Sequence, residues 1–316
     1  YFERALQIRE KTKNPGDIAD TVHNLAETAT NKGQYDQALK QYLRALQIYR
    51  DSGNKRGAAI ESYSMGTVFE YQGQYGAAVN SKEDALKAFR ELKDRGFWLG
   101  EILSGTGHAL AMAGRFDDAE KPLAEAAGVA GELQNKALAA QVLNFQGDRL
   151  LYRGEVRSAR PLYEQALEAA SKTTDKRVEL LSRVGLAKAS IAEGRPQPAI
   201  DSLKKLGPQS DAVGLKYLSV DSSLSLAEAL LAAKRYREAR DEADRTLARS
   251  DKLGLRALQA RAHFLLAQCL KQTGAAGEVP RHLAEARRLL EEIRKEAKSD
   301  AVVKRADLAP ILADSR

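Results

Sequence analysis

The chain has 316 residues, of which 43% are hydrophobic and 29% are charged, a balance typical of a protein that buries a core. No apolar run approaches the roughly 20 residues that cross a bilayer, and we expect no secretory leader, so the sequence predicts a cytoplasmic protein without membrane insertion. The net charge is +7, but basic and acidic residues are interspersed and few aromatic residues accompany them, which argues against nucleic acid as a partner. The single cysteine, Cys269, excludes an internal disulfide and fits a reducing compartment.

The start of the chain introduces a sequence period. Residues 1–14 (YFERALQIREKTKN) match residues 41–54 (QYLRALQIYRDSGN), 40 positions later. The second segment lies in the second helix of a predicted helix pair. We therefore predict that residues 1–14 are a half-repeat, and that the chain is a fragment of a longer polypeptide.

Seven repeats follow, at about residues 16–298, and five columns of similar residues define them. A glycine recurs every 40 or 41 residues, and Lys234 fills the one gap in that column. Glycine permits the positive φ of a turn between two helices, and a small residue seven positions earlier lets the helices cross closely. With an abundance of helix-forming residues, this pattern predicts an all-α solenoid of antiparallel helix pairs that forms one domain over residues 1–316. The glycine column is Gly33, Gly73, Gly114, Gly154, Gly194 and Gly274.

Residues 26–45 (AETATNKGQYDQALKQYLRA) and 107–126 (GHALAMAGRFDDAEKPLAEA) resemble the tetratricopeptide motif, with its small, Gly, Tyr/Phe, Ala and Ala positions at the family spacing. The period exceeds the common 34 residues, which implies helices of about 16–18 residues and is similar to longer-repeat proteins such as kinesin light chains. The resemblance implies a right-handed superhelix that has no enzymatic activity and binds a protein or peptide.

The repeats also suggest the kind of longer protein to which the chain belongs. They are similar to the repeats in the tetratricopeptide regions of bacterial serine/threonine kinases and of other multidomain signalling proteins. We expect an interaction scaffold within such a protein. A structural spacer or oligomerisation arm, and a regulator of an attached catalytic domain, remain as alternatives, and the oligomeric state stays open.

Two regions depart from the period. Gly207 and Pro208 predict an early end to the second helix of repeat five, with Ser210 and Asp211 beginning the next helix. Residues 299–316 are expected to fold in part as a short helix that caps the last exposed face of the solenoid.

The sequence offers no constellation for catalysis. His23 and Glu27 share a helical face, but two ligands on one helix do not make a zinc site. Cys269 lacks a matching His/Asn/Asp set, and residues 105–110 (GTGHAL) supply only G-x-G without a third glycine. We therefore predict no catalytic residue, no cofactor and no metal.

In the tetratricopeptide family the first helix of each pair lines the concave groove, and the resemblance carries this role over by column. In repeats one to four these columns hold acidic, polar and aromatic residues without Lys or Arg, which suit an extended peptide. His23 and Glu27 stand where a carboxylate clamp would need Lys and Asn, so we expect a basic or mixed-charge peptide. The alternative is that these acids are merely solvated. The predicted partner-binding residues are Asp20, His23, Glu27, Tyr63, Thr67, Glu70, Tyr71, Glu101, Ser104, His108, Gln141, Asn144, Asp148 and Tyr152.

Overall fold

The computed structural model describes residues 1–12 and 14–313, and within them all regular structure is helical. A leading helix precedes seven antiparallel helix pairs, so the predicted all-α solenoid is confirmed. None of the helices in this part of the chain combines the length and apolar character that a bilayer crossing demands. The helices are α1 (Phe2–Thr12), α2 (Pro15–Asn31), α3 (Tyr35–Asp51), α4 (Lys55–Tyr71), α5 (Tyr75–Glu91), α6 (Phe97–Met112), α7 (Phe116–Glu132), α8 (Lys136–Arg153), α9 (Val156–Ala170), α10 (Lys176–Ala192), α11 (Pro196–Ala212), α12 (Lys216–Ala232), α13 (Tyr236–Lys252), α14 (Arg256–Thr273), α15 (Val279–Arg294) and α16 (Ala309–Ala313), with short 3₁₀ helices at Ala276–Glu278 and Asp300–Lys304.

The turn inside each helix pair uses the glycine column as expected. Gly33 and Gly114 have φ values of 73° and 79°, in the left-handed region where a side chain is strained. Lys234, which takes the place of glycine in repeat six, adopts the same conformation with a φ of 60°. Behind the turns, Tyr35 and Tyr75 are buried. The turn geometry therefore follows the period even where the glycine is missing.

The expected break in repeat five does not occur. Helix α11 continues through Gly207 and Pro208 to Ala212, and α12 begins only at Lys216. The prediction was wrong because tertiary packing, which buries Leu206 before the proline and Ser210 after it, outweighs the proline's local cost. Helices α7 and α9 likewise continue through Pro122 and Pro161. Ser210 is accordingly a buried residue in the last turn of α11 and not a helix cap.

The superhelix completes a turn in about five repeats, so that repeats six and seven pack on repeats one and two. The rings of Tyr71 in α4 and Tyr217 in α12 stack with centroids 4.4 Å apart. At the start of α14, the Arg256 guanidinium donates to the carbonyl oxygens of Gln72 (3.1 Å) and Gly73 (3.0 Å). Distant parts of the chain thus share one core.

Residues 295–313, which we call the C-terminal arm, follow α15. The arm packs on α14 and α15, and it also crosses to repeats two, three and four. The Ala306 N–H donates to the Tyr152 carbonyl oxygen at 2.7 Å, and Lys298 pairs with Glu83 at 2.7 Å. The arm therefore occupies the place that an eighth repeat would take one turn above repeat three.

Candidate functional site

The inner helices of repeats one to six surround a central cavity of about 140 Å³. At about 30 Å³ for each water in the liquid, this space corresponds to about five waters. Helices α4, α6 and α8 form one wall, and α10 and α12 form the other. Tyr71 and Tyr217 meet at the edge where α4 and α12 approach each other. The groove is thus closed into a cavity by the tight winding of the solenoid.

A chain of ion pairs runs along the first wall. Lys82, which reaches in from α5, lies 2.6 Å from one oxygen of Glu70. His108 Nδ1 lies 2.7 Å from the other oxygen, and His108 Nε2 lies 3.3 Å from Asp148. The imidazole also stacks on Phe145, with ring centroids 4.1 Å apart. His108 thereby links α4, α6 and α8 across the cavity face.

Glu70 and His108 are both charged at neutral pH. Burial alone would raise the pKa of Glu70, but Lys82 and His108 outweigh it and lower the pKa to about 2. Burial would lower the pKa of His108, but Glu70 and Asp148 raise it to about 9. Two carboxylates are therefore balanced by one ammonium and one imidazolium.

One end of the cavity holds a carboxylate that is less well compensated. Glu101 accepts a hydrogen bond from Gln141 Nε2 at 3.0 Å, and the Gln141 oxygen accepts one from Arg177 at 2.6 Å. Burial raises the pKa of Glu101 although Arg177 opposes it. Tyr63 lines the same end of the cavity.

The opposite wall is basic. Lys188 Nζ lies 2.5 Å from Asp221 and 6.0 Å from the centre of the Tyr152 ring. Burial disfavours its charge, but Asp221 more than compensates and raises the pKa of Lys188. Four carboxylates and five basic groups thus line the cavity, namely Glu70, Glu101, Asp148 and Asp221 against Lys82, His108, Arg177, Lys188 and Lys216.

The structure brings nine of the fourteen predicted groove residues to this cavity. Ser104 and Asn144 are buried beside it, where the Ser104 hydroxyl accepts from Gln141 and Asn144 donates to a backbone carbonyl. In repeat one, His23 lies 2.8 Å from Glu61, Asp20 accepts from a tyrosine hydroxyl, and neither lines the cavity; nor does Glu27. The nine lining residues are Tyr63, Thr67, Glu70, Tyr71, Glu101, His108, Gln141, Asp148 and Tyr152.

The sequence prediction missed the basic wall and Lys82. Lys82 stands nine residues after the glycine column, where the other repeats have Tyr, Leu or Ala, and this exception was a usable signal. Lys188 and Asp221 fall in the groove columns already identified, but in repeats five and six. In the described part of the chain, no group of three or more His, Cys, Asp or Glu residues is arranged to hold a metal ion.

Comparison with known proteins agrees with this architecture. Models of the tetratricopeptide repeat family match residues 17–91 and 146–212, whereas a search of curated proteins finds no match. The fold is similar to the Rap conjugation gene regulator of plasmid pLS20 in complex with the Phr* peptide (TM-score 0.68, 16% identity, 90% of this chain and 76% of that one). It is also similar to Bacillus thuringiensis PlcR in complex with the peptide PapR7 and DNA (0.57, 13%, 84% and 98%). A third similar structure is the signal transduction ATPase with a tetratricopeptide repeat sensor from Pyrococcus horikoshii (0.56, 16%, 99% and 49%). The family matches show tetratricopeptide repeats at residues 17–91 and 146–212, and the same architecture of helix pairs continues through the rest of the described chain.

Proposed function

We propose that the chain is an interaction module that binds a short peptide, or an extended segment of a protein, in the central cavity. The observation that carries this proposal is the convergence of side chains from six consecutive repeats on one enclosed space. A peptide main chain presents N–H and C=O groups in alternation, which suits a cavity lined by both carboxylates and basic groups.

The partner that this lining favours is mixed in charge and not purely basic. The acids Glu70 and Asp148 already have Lys82 and His108 beside them, and Asp221 has Lys188. A purely cationic peptide would gain little from carboxylates that are already neutralised. Phe145, Leu181 and Val184 supply apolar surface for a side chain.

The similar structures support the partner class and a signalling context. Two of them, the pLS20 Rap regulator and PlcR, are complexes with peptides. The Pyrococcus protein carries its tetratricopeptide repeat sensor in a chain about twice as long as the part matched here. We infer that the present chain is the sensing or scaffolding arm of a larger bacterial signalling protein in the cytoplasm, a serine/threonine kinase being one candidate. The domains encoded on either side of this segment in its open reading frame would test whether the chain belongs to such a protein.

A direct test uses pooled five- to eight-residue peptides and measures binding by calorimetry. Leu181→Trp fills the cavity, whereas Leu133→Trp places the same ring on an exposed position of the outer surface. We expect the first change to weaken binding about tenfold or more and the second to leave it unchanged. Equal binding by both variants would place the ligand elsewhere, and no binding by wild type would favour a spacer role.

A further inference from the structure

The C-terminal arm is held in the manner of a bound peptide. Its central residue, Arg305, is 1% exposed although it carries a full charge. The guanidinium lies 4.4 Å from the centre of the Tyr152 ring and donates to the Tyr75 hydroxyl at 3.1 Å. A second donation goes to the Met112 carbonyl oxygen at 3.0 Å. Repeats two, three and four each contribute one wall of this arginine slot.

The residues after Arg305 add a second charged anchor. Asp307 accepts two hydrogen bonds from Arg305, at 3.0 and 2.8 Å. On its other side, Arg261 of α14 lies 3.4 Å from the same carboxylate. The pair is thus contacted from both sides, by aromatic rings around the arginine and by a guanidinium next to the aspartate. A segment without this Arg-x-Asp order would leave Arg261 less well compensated.

Apolar and main-chain contacts complete the docking. The Ala306 N–H donates to the Tyr152 carbonyl, as a strand-like ligand does. Val302, Leu308 and Ile311 are almost completely buried in the core shared by repeats two to four and seven. With Leu308 included, the pattern of the arm becomes Arg, then Asp at the second residue after it and Leu at the third.

The receiving surface is shaped for a close-lying backbone. A Cβ on Gly76 would lie 1.8 Å from the Ala297 carbonyl oxygen, and one on Gly114 would lie 1.9 Å from that of Ala301. Gly76 lies in the first turn of α5, where its own backbone does not require glycine. The close approach of the arm explains why glycine stands there.

Residues 295–299, which begin the arm, are not helical. Lys298 among them adopts a φ of 63°, in the left-handed region that strains a residue with a side chain. Its side chain pairs with Glu83 on the exposed surface. The arm is therefore joined to α15 by a short non-helical turn and is anchored mainly by its own side chains.

We propose that this groove is a second docking site, selective for a linear segment with Arg, Asp at the second following position and Leu at the third, which the arm occupies in cis. A tether supplies a local concentration on the order of millimolar, so a segment of another protein with the same chemistry gains access when the arm is released. The site shares Met112 and Tyr152 with the lining of the central cavity, but the arm's contacts with Tyr75, Gly76 and Gly114 lie outside that cavity. The proposal does not depend on the ligand of the cavity. The groove is formed by Tyr75, Gly76, Met112, Gly114, Tyr152 and Arg261.

The test releases the arm without changing the groove. The full chain carrying Arg305→Ala and Asp307→Ala is titrated with a fluorescent peptide of residues 297–313 (AKSDAVVKRADLAPILA). We expect saturable binding to this double variant and at least about tenfold weaker binding to the wild-type chain, whose groove is filled. The same peptide with alanine for its arginine is the matched control and should bind about tenfold more weakly.

Two results would overturn the proposal. The first is that the double variant does not bind the peptide, or binds the alanine control equally well. The second comes from hydrogen exchange in the wild-type chain, which does not rely on a folded variant. Amides of residues 302–311 should exchange through an opening that leaves α6 and α8 protected, whereas exchange only by global unfolding would make the arm an integral part of the core. A third result concerns the partner. If the wild-type chain forms dimers and the double variant does not, the groove binds the arm of a second copy of this chain. The proposal that it binds a segment of another protein would then be overturned.

Discussion

Replacing Gly76 with alanine isolates the contact between the C-terminal arm and α5. In the first turn of a helix the change should by itself stabilise the chain by roughly 0.5–1 kcal/mol, because alanine loses less backbone entropy. The new methyl group, however, would lie 1.8 Å from the Ala297 carbonyl oxygen and 3.3 Å from the Ser299 hydroxyl. The arm must therefore move by more than an ångström, since its backbone cannot give way as a flexible side chain would.

Such a displacement loses about the burial of one large side chain, among Val302, Leu308 and Ile311, or roughly 1.5–3 kcal/mol. When the gain in helix propensity is subtracted from this loss, the free energy of unfolding should fall by about 1–2 kcal/mol. Urea unfolding followed by the fluorescence of Trp98, the single tryptophan, measures this loss, and hydrogen exchange of the arm locates it.

Gly128→Ala is the matched control, because Gly128 lies inside α7 and no atom lies within 4 Å of the position that its new methyl group would take. It should raise the free energy of unfolding by roughly 0.5–1 kcal/mol. If Gly76→Ala stabilises the chain to the same extent and the arm amides stay protected, the arm does not depend on this contact and the reasoning is refuted.

Three further outcomes follow from buried charges. The pKa of His108 rises from 6.5 to about 9, so its contribution to stability is present below pH 6.5 and is lost as the pH rises from 6.5 to 9. His108→Gln should flatten that slope in unfolding curves measured at several pH values, and an unchanged slope would contradict the assignment. His263 has the opposite sign, because burial and the neighbouring His282 lower its pKa to about 4. Its contribution is lost as the pH falls from 6.5 towards 4, and His263→Asn should remove that acid-side loss. Lys82→Met leaves the buried Glu70 with only an imidazolium beside it and should lower the free energy of unfolding by about 3 kcal/mol. Adding Glu70→Gln to the same chain should restore most of that loss. Equal losses for the single and double variants would show that the pair is not coupled.

The repeat architecture could be predicted because each repeat obeys the same local rules. Lys234 adopts the left-handed turn of a glycine since the flanking helices require it. The early end of α11 was wrongly predicted because Gly207 and Pro208 were judged by local propensity, which the burial of the residues around them overrides. The winding was not predictable from the period, because small crossing angles add over five repeats before Tyr71 meets Tyr217.

The candidate site, too, could be predicted from the sequence only in part. The two columns that held Glu70, His108 and Asp148, three and six residues before the glycine, pointed to one wall of the cavity, because side-chain direction in a helix follows from spacing alone. Arg177 and Lys188 form the other wall only because the superhelix closes, which depends on contacts between distant repeats. That these residues bind a partner remains a prediction.

The five-repeat winding also changes how this solenoid should fold. In an open array each unit contacts only its neighbours, so stability is nearly a one-dimensional sum and the ends fray first. Here Arg256 bonds to the backbone of Gln72, 184 residues earlier, and residues at the two ends share cores. Closing such a long loop costs entropy that is recovered only when both ends are in place, so the contact order rises and folding slows. In exchange, the first and last repeats melt with the whole, and the array behaves as one cooperative unit.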